Sequence, residues 1–174
     1  MRSLFNLLRR SSTNKPHSVL FVCTENICRS PLAHGMMEAK LQRNGLGDLV
    51  HVDSAGAVAS QPGHRPDGRA LRVAERYGAN IKRNRARRIK DTDFEHFDLI
   101  LAMDNGNIDD LKQACPAQFS DKIRLVLEFS PHDNGLEVPD PYYGNMAGFD
   151  HVGELLDDAL EGVIDWLIQA RAQG

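Results

Sequence analysis

An α/β fold, a four-stranded parallel twisted sheet with helices on both faces, is predicted for this chain by three features of its sequence. Short apolar runs suited to buried strands alternate with longer stretches of helical periodicity. The run DLILAM at 98–103 is apolar almost throughout, as a strand covered on both faces is. Each connection between strands can hold a helix, which implies right-handed crossovers and places a ligand beyond the carboxyl ends of the strands.

The elements follow in order. The first 16 residues, MRSLFNLLRRSSTNKP, are rich in Arg and Ser and contain no acid. They read as an N-terminal extension, flexible or loosely docked, or alternatively as a basic presequence that directs the chain to an organelle. Residues 17–174 read as one domain. Ser18–Val22 is the first strand. Ser30-Pro31 opens a helix ending at Asn44-Gly45, with Ser30 as its cap and Pro31 as its first helical residue. Val50–Asp53 is the second strand, and Pro66–Tyr77 a helix stopped by Gly78. Asp98–Met103 is the third strand, Asn107–Ala114 a helix before Pro116, and Ile123–Leu127 the fourth strand. Phe149–Ala172 is a long amphipathic helix whose apolar positions, from Val152 to Leu167, recur at helical spacing, and Trp166 reads as core.

Composition narrows the class. A chain of 174 residues with 41% hydrophobic and 26% charged residues is a single globular domain. No apolar run reaches the ~18 residues of a membrane span. Three cysteines make no disulfide framework and point to a reducing, cytoplasmic setting. The net charge of −3 conceals an asymmetry: residues 1–90 carry a balance of +11 and residues 91–174 one of −14. The basic cluster Lys82–Lys90 reads either as a solvated face or as a rim around a site for an anion. No aromatics interleave with it, which argues against a nucleic-acid partner. The seven His show no metal-ligand spacing, so no metal or other cofactor is expected.

The loop after the first strand carries the chemistry. It reads Cys23-Thr24-Glu25-Asn26-Ile27-Cys28-Arg29-Ser30. Five residues between Cys23 and Arg29 can wrap one turn of backbone into a cup whose N–H groups point inward, beside the N-terminus of the next helix. Such a cup binds a tetrahedral oxyanion and favours a thiolate at its base. Arg29 can grip two oxygens of that anion, and Ser30 can donate a hydrogen bond to the sulfur. A nucleophile of this kind needs a proton donor for its leaving group. Asp140, stiffened between Pro139 and Pro141, supplies one, and Tyr142 and Tyr143 could wall a cleft; the segment also reads as a plain turn with two surface tyrosines.

On these residues the chain resembles the low-molecular-weight protein tyrosine phosphatase family from about Ser18 to Ala172. The matching stretches are VLFVCTENICRSP, DSAG, RPDGRAL, FDLILAMD and EVPDPYYG. The resemblance implies metal-independent hydrolysis of phosphate monoesters, with Cys23 as nucleophile, Arg29 as phosphate clamp, and Asp140 as general acid and then base. Asn26, Ser30 and Ser54 match residues that brace the phosphate loop. Thr24, Glu25, Asn26, Ile27 and Cys28 form its wall, and the partner is a phosphotyrosine protein or a small phosphate monoester, handled by a monomer or weak dimer.

The departures carry their own expectations. Glu25 stands where most members have Gly and should face out of the cup, with an Arg or Lys of 82–90 as its partner. Ser60 stands where an aromatic wall is common, which leaves one side of the cleft open. Asn84 stands where many members have His. Relatives that resemble protein arginine phosphatases carry a small polar Thr where this chain has Ile27, whose branched aliphatic side chain instead favours packing an aromatic ring and so a phosphotyrosine substrate. Cys28 is a candidate redox partner for Cys23, or a buried thiol without a role. Two other readings remain at this stage: a thiol-dependent arsenate reductase, for which only Cys115 lies beyond the loop, and a binding module disabled by Glu25.

Overall fold

A computed structural model describes residues 17–132 and 135–173, so the reading of residues 1–16 lies outside the described residues. Strand β1 (His17–Cys23) pairs in parallel with β2 (Val50–Gly56) on one side and β3 (Leu99–Ala102) on the other, and β4 (Ile123–Leu125) joins β3. The order β2-β1-β3-β4 makes β1 the strand from which the chain turns first one way and then the other. A crevice opens at such a switch point, beyond Cys23.

The pleat of β1 sorts its side chains between two layers. Val19, Phe21 and Cys23 face the larger core with α1 (Arg29–Arg43), α2 (Gly68–Arg76) and α5 (Met146–Gln173). Leu20 and Val22 face a smaller core beneath α3 (Asp91–His96) and α4 (Asn105–Ala114). All four strands and every predicted helix are present, with shifted ends. The Pro66 helix starts at Gly68, because Asp67 takes the cap by accepting from Arg69 N (2.8 Å). Strand β4 stops at Leu125, where Glu128 accepts from Leu125 N (3.0 Å) and starts a 3-10 turn over Val126–Phe129. Helix α3 escaped the sequence reading because its six residues are mostly polar; Asp93 nucleates it by accepting from Lys90 N (2.8 Å). Trp166 packs at the margin of the larger core, edge-on to Phe129 at 6.2 Å, and is only partly buried. Among the described residues no helix is long and apolar enough to cross a membrane.

The long helix α5 is fastened to α1 by buried Lys40, whose Nζ lies 2.8 Å from Asp157 and 2.5 Å from Glu161. Burial alone would push that ammonium down, but the two carboxylates carry it above the ordinary lysine range. On the same helix, a Cβ added at Gly162 would collide with the Phe129 carbonyl oxygen, whereas one added at Gly68 meets open space. Gly162→Ala is expected to cost about 2–3 kcal/mol through overpacking against backbone, and Gly68→Ala to be neutral or up to about 1 kcal/mol stabilising. Urea denaturation of the two variants checks both signs.

Candidate active site

The turn between Cys23 and Arg29 is held from outside. The carbonyls of its wall accept from neighbouring segments: Cys23 O from Ala57 N (2.8 Å), Thr24 O from Val58 N (3.0 Å) and Ala59 N (3.1 Å), and Ile27 O from Asp67 N (3.0 Å). Each peptide is planar and trans, so a carbonyl turned outward sends the next N–H the opposite way, into the cup. Helix α1 begins at Arg29, with Cys28 at the N-cap position and no side-chain cap among the described residues. Its first-turn N–H groups are thereby left to an anion. This corrects the expectation of Ser30 as the cap, since it lies inside the first turn; its hydroxyl lies 3.1 Å from Cys23 Sγ. The Asn26 N–H donates to that sulfur (3.3 Å).

Asn26 adopts φ 60°, in the left-handed region that asparagine tolerates better than most residues. Its Nδ2 donates to Ser30 Oγ (2.8 Å) and Ser54 Oγ (3.0 Å), and its Oδ1 accepts from Arg87 N (3.0 Å). Asn26, Ser30 and Ser54 are thus brought together under the cup. Arg29 is buried, and its Nη1 donates to Asp104 (2.6 Å) and to the Val138 carbonyl (3.0 Å). Its Nη2 lies 3.7 Å from Asp140 Oδ2, which puts the predicted proton donor at the mouth beside the predicted clamp. Half-exposed Asp140 also accepts from Tyr142 N (3.1 Å).

Tyr142 and Tyr143 stand at the rim, 48% and 95% exposed, with their rings edge-on at 4.9 Å. Arg69 fastens this loop: it donates to the carbonyls of Tyr142 (2.9 Å) and Gly144 (2.8 Å) while its Nε and Nη2 grip the two carboxylate oxygens of Asp67. The hydrogen bond from Arg69 holds the Asp67 carboxyl below the usual carboxylate range. Asp67 N in turn holds Ile27, so the cup and the Asp140 loop share one anchor.

The departures resolve as follows. Glu25 turns away from the cup, but its partner is not a base of 82–90: Ser60 donates to it through both N (2.7 Å) and Oγ (2.8 Å). A short carboxylate on the loop reaches the adjacent backbone more directly than a long side chain across the rim. Asn84 donates to His34 Nδ1 (3.2 Å), a histidine to which the sequence reading gave no role. The reading also missed Asp104, Asn107, which contacts Thr24 Oγ1 (3.1 Å), and Arg69. A signal for Asp104 existed, since it directly follows an apolar strand at the binding end of the sheet. Cys28 is buried and its thiol is pushed up to about 12, first by burial and then by Asp67.

Residues 18–173 match the family model described as low molecular weight phosphotyrosine protein phosphatase. The low molecular weight protein-tyrosine phosphatase A of Mycobacterium tuberculosis is 36% identical over 162 residues, covering 91% of this chain and 96% of that one. A protein tyrosine phosphatase of Entamoeba histolytica, solved with Hepes in its active site, superposes with a TM-score of 0.85 at 38% identity over 88% of this chain and 98% of its own. Vibrio vulnificus Wzb in complex with benzylphosphonate superposes with a TM-score of 0.74 at 27% identity, over 88% and 98%.

Asp104 serves Arg29 and also caps α4 through Asn107 N (2.8 Å). Asp104→Ala strands a buried guanidinium and is expected to cost about 3–4 kcal/mol of stability. Asp104→Asn retains a cap and is expected to weaken inhibition by inorganic phosphate about tenfold. Thermal unfolding and phosphate inhibition constants measure the two effects.

Proposed function

The chain belongs to the low molecular weight phosphotyrosine protein phosphatase family, and from that membership and the geometry of the cup we propose the residues by which it acts. It is a protein tyrosine phosphatase, a hydrolase of phosphate monoesters. The observation that carries the assignment is the convergence on one sulfur: two hydrogen-bonding groups reach Cys23 Sγ at the base of an anion-binding turn, with Arg29 and Asp140 at its mouth.

The phosphate dianion enters the cup against the inward N–H groups and the free edge of Arg29. Cys23 attacks phosphorus as the thiolate; the S–P bond forms as the P–O bond to the leaving group breaks, and Asp140 gives that oxygen its proton. The Asp140 carboxylate then takes a proton from water. The water oxygen attacks phosphorus, the S–P bond breaks, and inorganic phosphate leaves a thiolate that the Ser30 hydroxyl stabilises. Developing charge on the equatorial oxygens meets donors already in place, the largest electrostatic contribution such a site can make.

An aromatic phosphate is the preferred substrate. Ile27 offers a branched aliphatic wall, Tyr142 and Tyr143 an aromatic rim, and the relative bound to benzylphosphonate supports a phosphorylated ring in this position. The protein acts in the cytoplasm as a monomer or weak dimer. The binding-module reading loses its premise, since Glu25 is engaged by Ser60 at the rim. The arsenate-reductase reading lacks a relay, since Cys115 packs against the smaller core and Cys23 lies in the larger.

Cys28 is proposed as a guard that closes a disulfide onto Cys23 oxidised by peroxide, the sulfenic oxygen leaving as hydroxide. The attacking group is the Cys28 thiolate, and with the thiol at about 12 its fraction rises about tenfold per pH unit. Disulfide formation after one equivalent of hydrogen peroxide is therefore expected to accelerate about tenfold per unit from about pH 7 to 9, followed by mass spectrometry of trapped thiols. For turnover, Cys23→Ser is expected to abolish p-nitrophenyl phosphate hydrolysis. Asp140→Ala is expected to lower kcat about 10²–10⁴-fold, and EDTA to leave the rate unchanged.

A further inference from the structure

His34 lies one helical turn after Ser30 on α1, so both side chains leave the same face of the helix, toward β2. Its ring is largely buried. Two groups approach Nδ1: the Ser54 hydroxyl at 3.3 Å and Asn84 Nδ2 at 3.2 Å. An amide nitrogen only donates, so Nδ1 is the acceptor and carries no proton. The ring proton therefore sits on Nε2, where Glu38 Oε1 lies 3.3 Å away to receive it. The other charged groups facing the ring are Asp53, whose Oδ1 lies 4.0 Å from Nδ1, and Arg87, which reaches that same carboxylate from behind at 2.8 Å.

This tautomer sets the direction of the hydrogen bonds that run from the ring through Ser54 to Asn26. With its proton given to Nδ1, the Ser54 oxygen presents only lone pairs to Asn26, whose Nδ2 donates to it at 3.0 Å. The second hydrogen of the same nitrogen goes to Ser30 Oγ at 2.8 Å, whose hydroxyl lies between Cys23 Sγ at 3.1 Å and the Ala55 carbonyl at 3.3 Å. If Nδ1 is absent, Ser54 loses this acceptor. Its hydroxyl proton then competes with Asn26 Nδ2 for the same gap, donor against donor. Asn26 is the residue that feels it, and its own N–H is one of the groups on the sulfur.

We propose that His34 is a positioning residue for the phosphate cup: its unprotonated Nδ1 takes the Ser54 hydroxyl proton and so leaves the Ser54 oxygen free to brace Asn26. The inference rests on the assignment of Cys23 as the nucleophile.

The test compares wild type, His34→Leu, His34→Asn and Cys23→Ser by kcat/KM for p-nitrophenyl phosphate, inhibition by inorganic phosphate, and melting temperature. His34→Leu removes the acceptor; His34→Asn returns an acceptor oxygen close to the place of Nδ1. Losing one neutral hydrogen bond predicts that His34→Leu lowers kcat/KM and weakens phosphate inhibition about five- to tenfold, and that His34→Asn restores both to within about twofold. Unchanged kinetics in His34→Leu, or an equal loss in both His34 variants with a matching loss of melting temperature, would overturn the proposal. Turnover retained by Cys23→Ser would instead overturn the assignment of the nucleophile, independently of the His34 series.

Discussion

Asn26 carries the constraint on which the site depends. The five residues that carry the strand into the helix turn through the left-handed region at Asn26, with φ 60°. Its side chain then occupies the space behind the turn, where it joins Ser30 on α1, Ser54 on β2 and the backbone of Arg87. One amide therefore ties three segments that the sheet order has already brought to the same end. Glycine would make the turn with less strain but would supply none of these bonds.

Everything at the mouth is fastened in relation to that turn. Asp104, at the end of β3, aims Arg29, and Asp67 holds both Ile27 and, through Arg69, the carbonyls flanking Tyr143. The two unusual residues at the rim are a matched pair: Glu25 brings a carboxylate into an anion site, and Ser60 gives up an aromatic wall to hold that carboxylate aside. Asn84 and His34 form a second pair beneath the cup. In each pair a substitution that looks damaging alone is answered by a contact distant in sequence.

The sheet, its helices and the Cys23–Arg29 turn were legible because each rests on local signals. Apolar runs mark strands, Gly78 marks the end of α2, and the Cys-to-Arg spacing suits a turn that wraps one phosphate. What escaped was set by tertiary geometry. Ser30 carries a convincing cap signature, yet the helix starts at Arg29, two residues before Pro31, with Cys28 at the cap position. The partner of Glu25 lies 35 residues on and that of Asn84 lies 50 residues back, and neither spacing carries a period. His34 is one of seven histidines, and only the strand pairing that brings Ser54 beneath α1 singles it out.

The central claim is that the reaction passes through phosphate bonded to Cys23. Acid quench of the enzyme during turnover of p-nitrophenyl phosphate, followed by peptide mass spectrometry, tests this directly. The account predicts a phosphate mass on the peptide that holds Cys23, absent from Cys23→Ser and accumulating when Asp140→Ala slows attack by water. Phosphate found on a histidine, or turnover with no phosphorylated enzyme in either protein, would contradict it.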